Sequence, residues 1–174
     1  MERGRLAWKI SVAGTTGVGK SALISRIIYN TDKVQISQRS LQKKTLRLDG
    51  SNGPLTVDIL LQEIDPGKNE ERLMTGSNAV LVLADLTNLL SLKSADRFLK
   101  FVESQKSGKI VKLIATKLDR KYEAKFWDEE LDELSGRYNV AHAKISSKTG
   151  DGFDQFFGEL KTELLDRFHA GKKK

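Results

Sequence analysis

Between an alternating apolar stretch (Leu6, Trp8, Ile10, Val12) and the helix-like run Ser21-Ala22-Leu23-Ile24-Ser25-Arg26-Ile27-Ile28 lies Gly14-Thr15-Thr16-Gly17-Val18-Gly19-Lys20-Ser21. This segment constrains the fold more than any other, because it meets Gly-x-x-x-x-Gly-Lys-Ser/Thr at every fixed position and joins a strand to a helix. Glycines let successive backbone N–H groups turn toward one concavity. The helix start adds free N–H groups and a positive dipole end, so polyphosphate charge is stabilised there. Gly14 through Ala22 are therefore the candidate phosphate-binding residues. Lys20 would reach the terminal phosphates, and the Ser21 hydroxyl would ligate Mg²⁺.

The rest of the chain alternates strand and helix patterns. Residues 30–43 are polar with scattered apolar positions and read as an exposed, functional loop. Thr45–Leu48 and Leu55–Leu61 flank Asp49-Gly50-Ser51-Asn52-Gly53-Pro54, whose turn residues predict an antiparallel hairpin. Asn78–Ala84 and Lys109–Ala115 are near-continuous apolar runs, expected of central parallel strands covered on both faces, and Val140–Ile145 reads as the last strand. Helical spacing links Leu92, Ala95, Leu99 and Val102; then Trp127, Leu131, Leu134 and Tyr138; then Phe153, Phe156, Phe157, Leu160, Leu164 and Phe168. The aromatics at these spacings read as core. Such alternation implies an α/β sandwich with a mostly parallel sheet and a ligand site beyond the carboxyl ends of its strands. Residues 1–171 are expected to form one domain, with 172–174 as a basic tail.

Charge and cysteine usage narrow the function classes. Lys plus Arg exceed Asp plus Glu by 30 − 23 = 7, and Lys172-Lys173-Lys174 carry three of those charges. The tail could make weak contacts with anionic surfaces, but the excess reads mainly as a solvated basic surface. With no cysteine, disulfides, Cys-ligated zinc and thiol catalysis are excluded. No apolar stretch approaches the ~20 residues that cross a bilayer. Glu2 and the missing cysteines leave no signal for a lipid anchor, so a cytoplasmic protein is expected.

Two further motifs follow later strands: Thr116-Lys117-Leu118-Asp119 and Ser146-Ser147-Lys148-Thr149-Gly150. Both fall at the same sheet edge as the glycine-rich loop. In this respect the chain resembles the small GTPases of the Ras superfamily, from the first strand to the last helix. The family's Asn/Thr-Lys-x-Asp motif matches Thr116, Lys117 and Asp119, and its Ser-Ala-Lys motif matches Ser146, Ser147 and Lys148. The resemblance implies a P-loop NTPase three-layer sandwich: a six-stranded, mostly parallel sheet with one antiparallel strand and helices on both faces. It implies GTP and GDP as ligands with Mg²⁺, an exchange factor, a GTPase activator and protein effectors. Asp119 would accept hydrogen bonds from guanine N1–H and the exocyclic amine, paired donors that adenine lacks. By the same resemblance Lys117 would lie along the base, and the Ser147 N–H would contact the guanine oxygen.

The segments that respond to nucleotide in that family depart from its pattern. Its metal-binding Thr has no clear counterpart; Ser37 stands nearest, with Ser40 as a fallback. Where the family has Asp-Thr-Ala-Gly-Gln, this chain reads Glu63-Ile64-Asp65-Pro66-Gly67-Lys68, so the acid-to-glycine spacing differs by one residue. Glu63 is one residue too far from Gly67 and Asp65 one too near; Asp65 is slightly preferred as the carboxylate serving Mg²⁺. Gly67 would offer its N–H to a γ-phosphate. Lys68 takes the place of the water-orienting Gln, and an ammonium, having donors only, cannot accept from an attacking water. Together with the added side chain of Thr16, this predicts slow intrinsic hydrolysis, although Lys68 could instead offset γ-phosphate charge. The readings are a slowly hydrolysing GTP switch and, as the alternative, a pseudo-GTPase that keeps the fold without cycling. A third is a P-loop protein that reaches nucleic acid or membrane through its tail.

Overall fold

The computed structural model describes residues 5–31 and 41–172. Ser37, Ser40, Lys173 and Lys174 lie outside the described residues, as does the side chain of Lys172.

The strands are β1 (Arg5–Ala13), β2 (Leu41–Gly50), β3 (Gly53–Ile64), β4 (Ala79–Asp85), β5 (Ile110–Thr116) and β6 (Ala141–Lys144). They form one sheet in the order β2-β3-β1-β4-β5-β6, parallel except for the antiparallel β2–β3 pair. The helices are α1 (Lys20–Tyr29), α2 (Glu70–Met74), α3 (Leu89–Ser104), α4 (Asp128–Tyr138) and α5 (Phe153–Lys172). A 3-10 segment, Leu118–Glu123, follows β5.

Two apolar layers explain the near-continuous hydrophobicity of β4. Its residues Leu81 and Leu83 join Ile10, Val12, Leu23, Ile27, Phe156 and Leu160 under α1 and α5. The intervening Val80, Val82 and Ala84 join Leu92, Leu99, Leu113 and Leu131 under α3 and α4. A strand covered on both faces has no solvent side for polar residues, so its period-2 pattern disappears. Helices on both faces give the expected three layers and the α/β class.

Three expectations need correction. Leu41, Gln42 and Lys43, read as loop, are the start of β2 and pair with Gln62, Leu61 and Leu60. An edge strand with alternating exposed and half-buried residues has too few apolar positions to be recognised by composition. The hairpin connection is also shorter than the turn-residue cluster: Gly50 pairs with Gly53, leaving Ser51-Asn52 between the strands. Trp127 is not on a core helix face. It precedes α4 as the N-cap, 37% exposed, with its ring under the Lys144 ammonium at 4.1 Å. Leu131 and Leu134 carry the burial of α4.

β3 continues past Leu61 to Ile64, and its parallel register sets Glu63 opposite Val12 and Ile64 opposite Ala13. That extension brings the acidic segment alongside the glycine-rich loop. Among the described residues, no helix is long and apolar enough to cross a membrane.

Candidate functional site

The loop between β1 and α1 is held by close packing at one end and by glycine conformation at the other. A Cβ at Gly14 would stand 2.6 Å from Val18 Cγ2 and 3.2 Å from the Leu83 carbonyl oxygen, so only glycine fits. The Val18 N–H donates to the Thr15 carbonyl (3.2 Å), closing the turn, and the Val18 side chain is buried. Gly19 has φ 108° and precedes the first residue of α1, where a side chain would strain the backbone. A cleft of about 410 Å³ opens beside the loop, lined by Thr16, Gly17, Gly19, Lys20, Ser21, Ala22, Glu63 and Asp65.

Lys20, only 7% exposed, donates from Nζ to the Gly14 carbonyl and to Asp65 Oδ1 at 2.7 Å. The Ser21 hydroxyl donates to Glu63 Oε1 at 2.7 Å. The two acids are thus divided: Asp65 meets the phosphate-seeking lysine, and Glu63 meets the hydroxyl expected to ligate metal. Asp65, slightly preferred for the metal, touches Lys20, and Glu63 is the acid that touches Ser21. Residues 63 and 65 each lie beside a different loop residue, and Glu63 adds a methylene of reach.

The later motifs meet at the carboxyl edge of the sheet. Thr116 ends β5 and donates from Oγ1 to the Val18 carbonyl (2.5 Å), linking this edge to the glycine-rich loop. The Leu118 N–H donates to the Ile145 carbonyl (3.0 Å), setting the two motifs side by side. Ser146 donates from Oγ to Asp119 Oδ1 (2.8 Å), while the same Oγ accepts from the Thr149 N–H (3.0 Å). One oxygen of the exposed Asp119 carboxylate is thereby oriented. Ser147 and Lys148 form the turn that follows, closed by the Gly150 N–H on the Ser146 carbonyl (2.9 Å).

Two contributors were not singled out from sequence. Asp85, at the end of β4 and 5% exposed, pairs with Lys117 at 2.8 Å. Burial would raise its pKa, but hydrogen bonds from Lys117 and Thr87 outweigh that, and the carboxyl is held below its ordinary value. The visible signal was a carboxylate ending an otherwise apolar strand. Arg26 of α1 is the other: its guanidinium reaches the carbonyls of Ser147 and Lys148. A cation on a helix gave no signal, since most are solvated.

Gly67 and Lys68 are not among the cleft-lining residues. Gly67 has φ 84°, and the exposed Lys68 donates its backbone N–H to the Asp65 carbonyl (3.1 Å), closing the turn Asp65-Pro66-Gly67-Lys68.

The residues fit a polyphosphate with a hard divalent cation. The cleft presents Lys20, and a Cβ at Gly17 would meet nothing within 4 Å, leaving the loop backbone open on that side. Ser21 Oγ and Glu63 Oε1 are 2.7 Å apart. With its proton directed at that carboxylate, the Ser21 oxygen would keep a lone pair free for a cation, and Glu63 would add negative charge beside it. Among the described residues no group of three or more His, Cys, Asp or Glu gathers as a metal site.

A family model for the Ras family matches residues 9–166. A Ras-related protein Rab-18 from Lymnaea stagnalis is 27% identical over 167 residues, covering 90% of this chain and 80% of that protein. A Ras-related protein Rab-26 from Bos taurus is 27% identical over 172 residues, covering 93% of this chain and 65% of its own length.

Proposed function

Since the chain belongs to the Ras family and is a small GTP-binding protein, we propose that it is a guanine-nucleotide-dependent switch with slow intrinsic hydrolysis. The observation that carries the proposal is the placing of Lys20, Ser21 and two carboxylates in one cleft, tied through Thr116 to the edge bearing Asp119 and Ser146-Ser147-Lys148. Gly14 to Ala22 hold the phosphates, with Lys20 on the terminal ones. Thr116, Lys117, Asp119, Ser146, Ser147 and Lys148 hold the guanine. Ser21 is the direct metal ligand and Glu63 the supporting carboxylate; bound Mg²⁺ would supply charge neutralisation on the phosphate oxygens.

Asp65 to Glu71 form the segment that rearranges on γ-phosphate, with the Gly67 N–H as its sensor. Releasing Asp65 from Lys20 couples that segment to nucleotide: phosphate oxygens replace the carboxylate on the ammonium, and the turn carrying Gly67 is freed to follow. Lys68 has no lone pair to orient water, so conversion of GTP to GDP is slow without an activator. Exchange factor, activator and effectors act through these segments, within one domain of residues 1–171 in the cytoplasm. The tail at 172–174 adds weak anionic-surface contact.

The Lys20–Asp65 pair favours one second reading. A carboxylate on the phosphate lysine competes with nucleotide, and a chain in which it wins would be a pseudo-GTPase. Nucleotide extraction from the purified protein, followed by single-turnover hydrolysis with Mg²⁺, separates the two. Bound guanine nucleotide with slow conversion supports the switch; no guanine nucleotide and no turnover supports the pseudo-GTPase.

A further inference from the structure

Arg26 lies in α1, the helix that begins at Lys20, yet its side chain serves the opposite end of the site. Nε and Nη2 donate to the Ser147 carbonyl at 2.9 and 2.7 Å, and Nη2 donates again to the Lys148 carbonyl at 2.9 Å. Three charge-assisted bonds from one half-buried guanidinium thus cross 121 or 122 residues of sequence to a single turn. The planar, delocalised fork suits two neighbouring carbonyls, whereas an ammonium directs its donors from one point.

We propose that Arg26 is a positioning residue for guanine recognition, holding the Ser147-Lys148 turn so that the Lys148 N–H, opposite the clamped Ser147 carbonyl, faces the base; this rests on the guanine-nucleotide reading above. The physical link is peptide planarity. Within each peptide unit the carbonyl of one residue and the N–H of the next point in opposite directions, so fixing the Ser147 carbonyl aims the Lys148 N–H away from α1, and fixing the Lys148 carbonyl aims the Thr149 N–H inward, where Ser146 Oγ accepts it. Arg26 draws those carbonyls toward α1. From the inside, Ser146 holds the same turn through the Thr149 N–H at 3.0 Å and the Gly150 N–H at 2.9 Å. The turn therefore has two clamps, and only the outer one comes from the phosphate-binding helix. α1 then sets the distance between the phosphate cradle and the base contacts. Arg26 also falls in the last turn of α1, where a cation complements the helix dipole.

The test compares wild type, Arg26→Ala and Arg26→Lys in release of a fluorescent GDP and in binding of inorganic tripolyphosphate, which lacks a base. Arg26→Ala is expected to release GDP about tenfold faster, as loss of charged hydrogen bonds at a recognition turn predicts. Its tripolyphosphate affinity should be unchanged, and Arg26→Lys should fall between the two in GDP release. Unaltered GDP release in Arg26→Ala, or a proportional loss of tripolyphosphate binding, would overturn the proposal, the latter by revealing general damage to α1. Wild-type protein that binds tripolyphosphate but no guanine nucleotide would overturn the underlying reading and the clamp with it.

Discussion

Lys20 Nζ stands 2.7 Å from Asp65 Oδ1 inside the phosphate cleft, a lysine 7% exposed paired with a side chain that is 49% exposed. The pair puts an internal anion where the terminal phosphates of a nucleotide belong. Asp65→Asn keeps the shape and removes the charge. A half-exposed ion pair contributes about 1 kcal/mol, so the variant is expected to bind GDP about fivefold more tightly in the absence of divalent metal. Equilibrium titration in EDTA reads this directly. Weaker binding by Asp65→Asn under those conditions would show that Asp65 assists nucleotide.

The Ser21–Glu63 contact makes a separate prediction about metal. Because Glu63 Oε1 accepts from the Ser21 hydroxyl at 2.7 Å, Glu63→Gln should lower Mg²⁺ affinity about tenfold or more, the usual cost of disturbing a group that orients a metal ligand. Chelation should then accelerate GDP release much less in Glu63→Gln than in wild type, while Asp65→Asn keeps the wild-type response. The reverse assignment of the two variants would return the metal carboxylate to Asp65.

These two acids also mark how far the sequence could be read. The glycine-rich loop, β4 and β5 were legible because each is a local pattern: fixed spacing in one, strands buried on both faces in the others. The contacts of Glu63 and Asp65 were not, since they depend on β3 continuing to Ile64 in register with β1, a property of strand pairing that no window of residues contains. Arg26 was hidden for the same reason, its partners being Ser147 and Lys148. Trp127 misled because its spacing from Leu131 and Leu134 is helical, although the helix begins one residue later.

Earlier in β3, opposite Ala7 and Thr45, Asp58 predicts an acid-side loss of stability. Arg5 Nε donates to its Oδ2 at 2.7 Å and Thr45 Oγ1 to its Oδ1 at 2.6 Å. Hydrogen bonds from Arg5 and then Thr45 hold its pKa down at about 2. A carboxyl depressed in the folded state binds its proton more readily when unfolded. Its stabilisation is full above the ordinary carboxylate pKa of about 3.9 and is lost as pH falls toward the folded value. Urea midpoints measured between pH 5 and pH 2 should fall less steeply in Asp58→Asn than in wild type. Parallel slopes would mean that Asp58 titrates alike in both states.

Gly14 predicts a coupling between core packing and the nucleotide loop. Its missing Cβ leaves room for Val18 Cγ2, which would otherwise lie 2.6 Å away, and for the Leu83 carbonyl oxygen at 3.2 Å. Gly14→Ala should therefore destabilise the fold by about 1–3 kcal/mol, the usual cost of overpacking. Val18 is the neighbour able to yield, since the second close atom is backbone of the central strand β4. Truncation by Val18→Ala creates a cavity on its own, but in combination with Gly14→Ala it removes the clash, so the double variant should be more stable than the sum of the single losses. Nucleotide retention should follow the same order, because the Val18 carbonyl accepts from Thr116 Oγ1 at 2.5 Å and displacement of Val18 strains the link between the phosphate loop and the base-binding edge. Denaturant midpoints and GDP release rates of the three variants check both statements. Strict additivity in stability would show that the added methyl is accommodated by movement away from Val18.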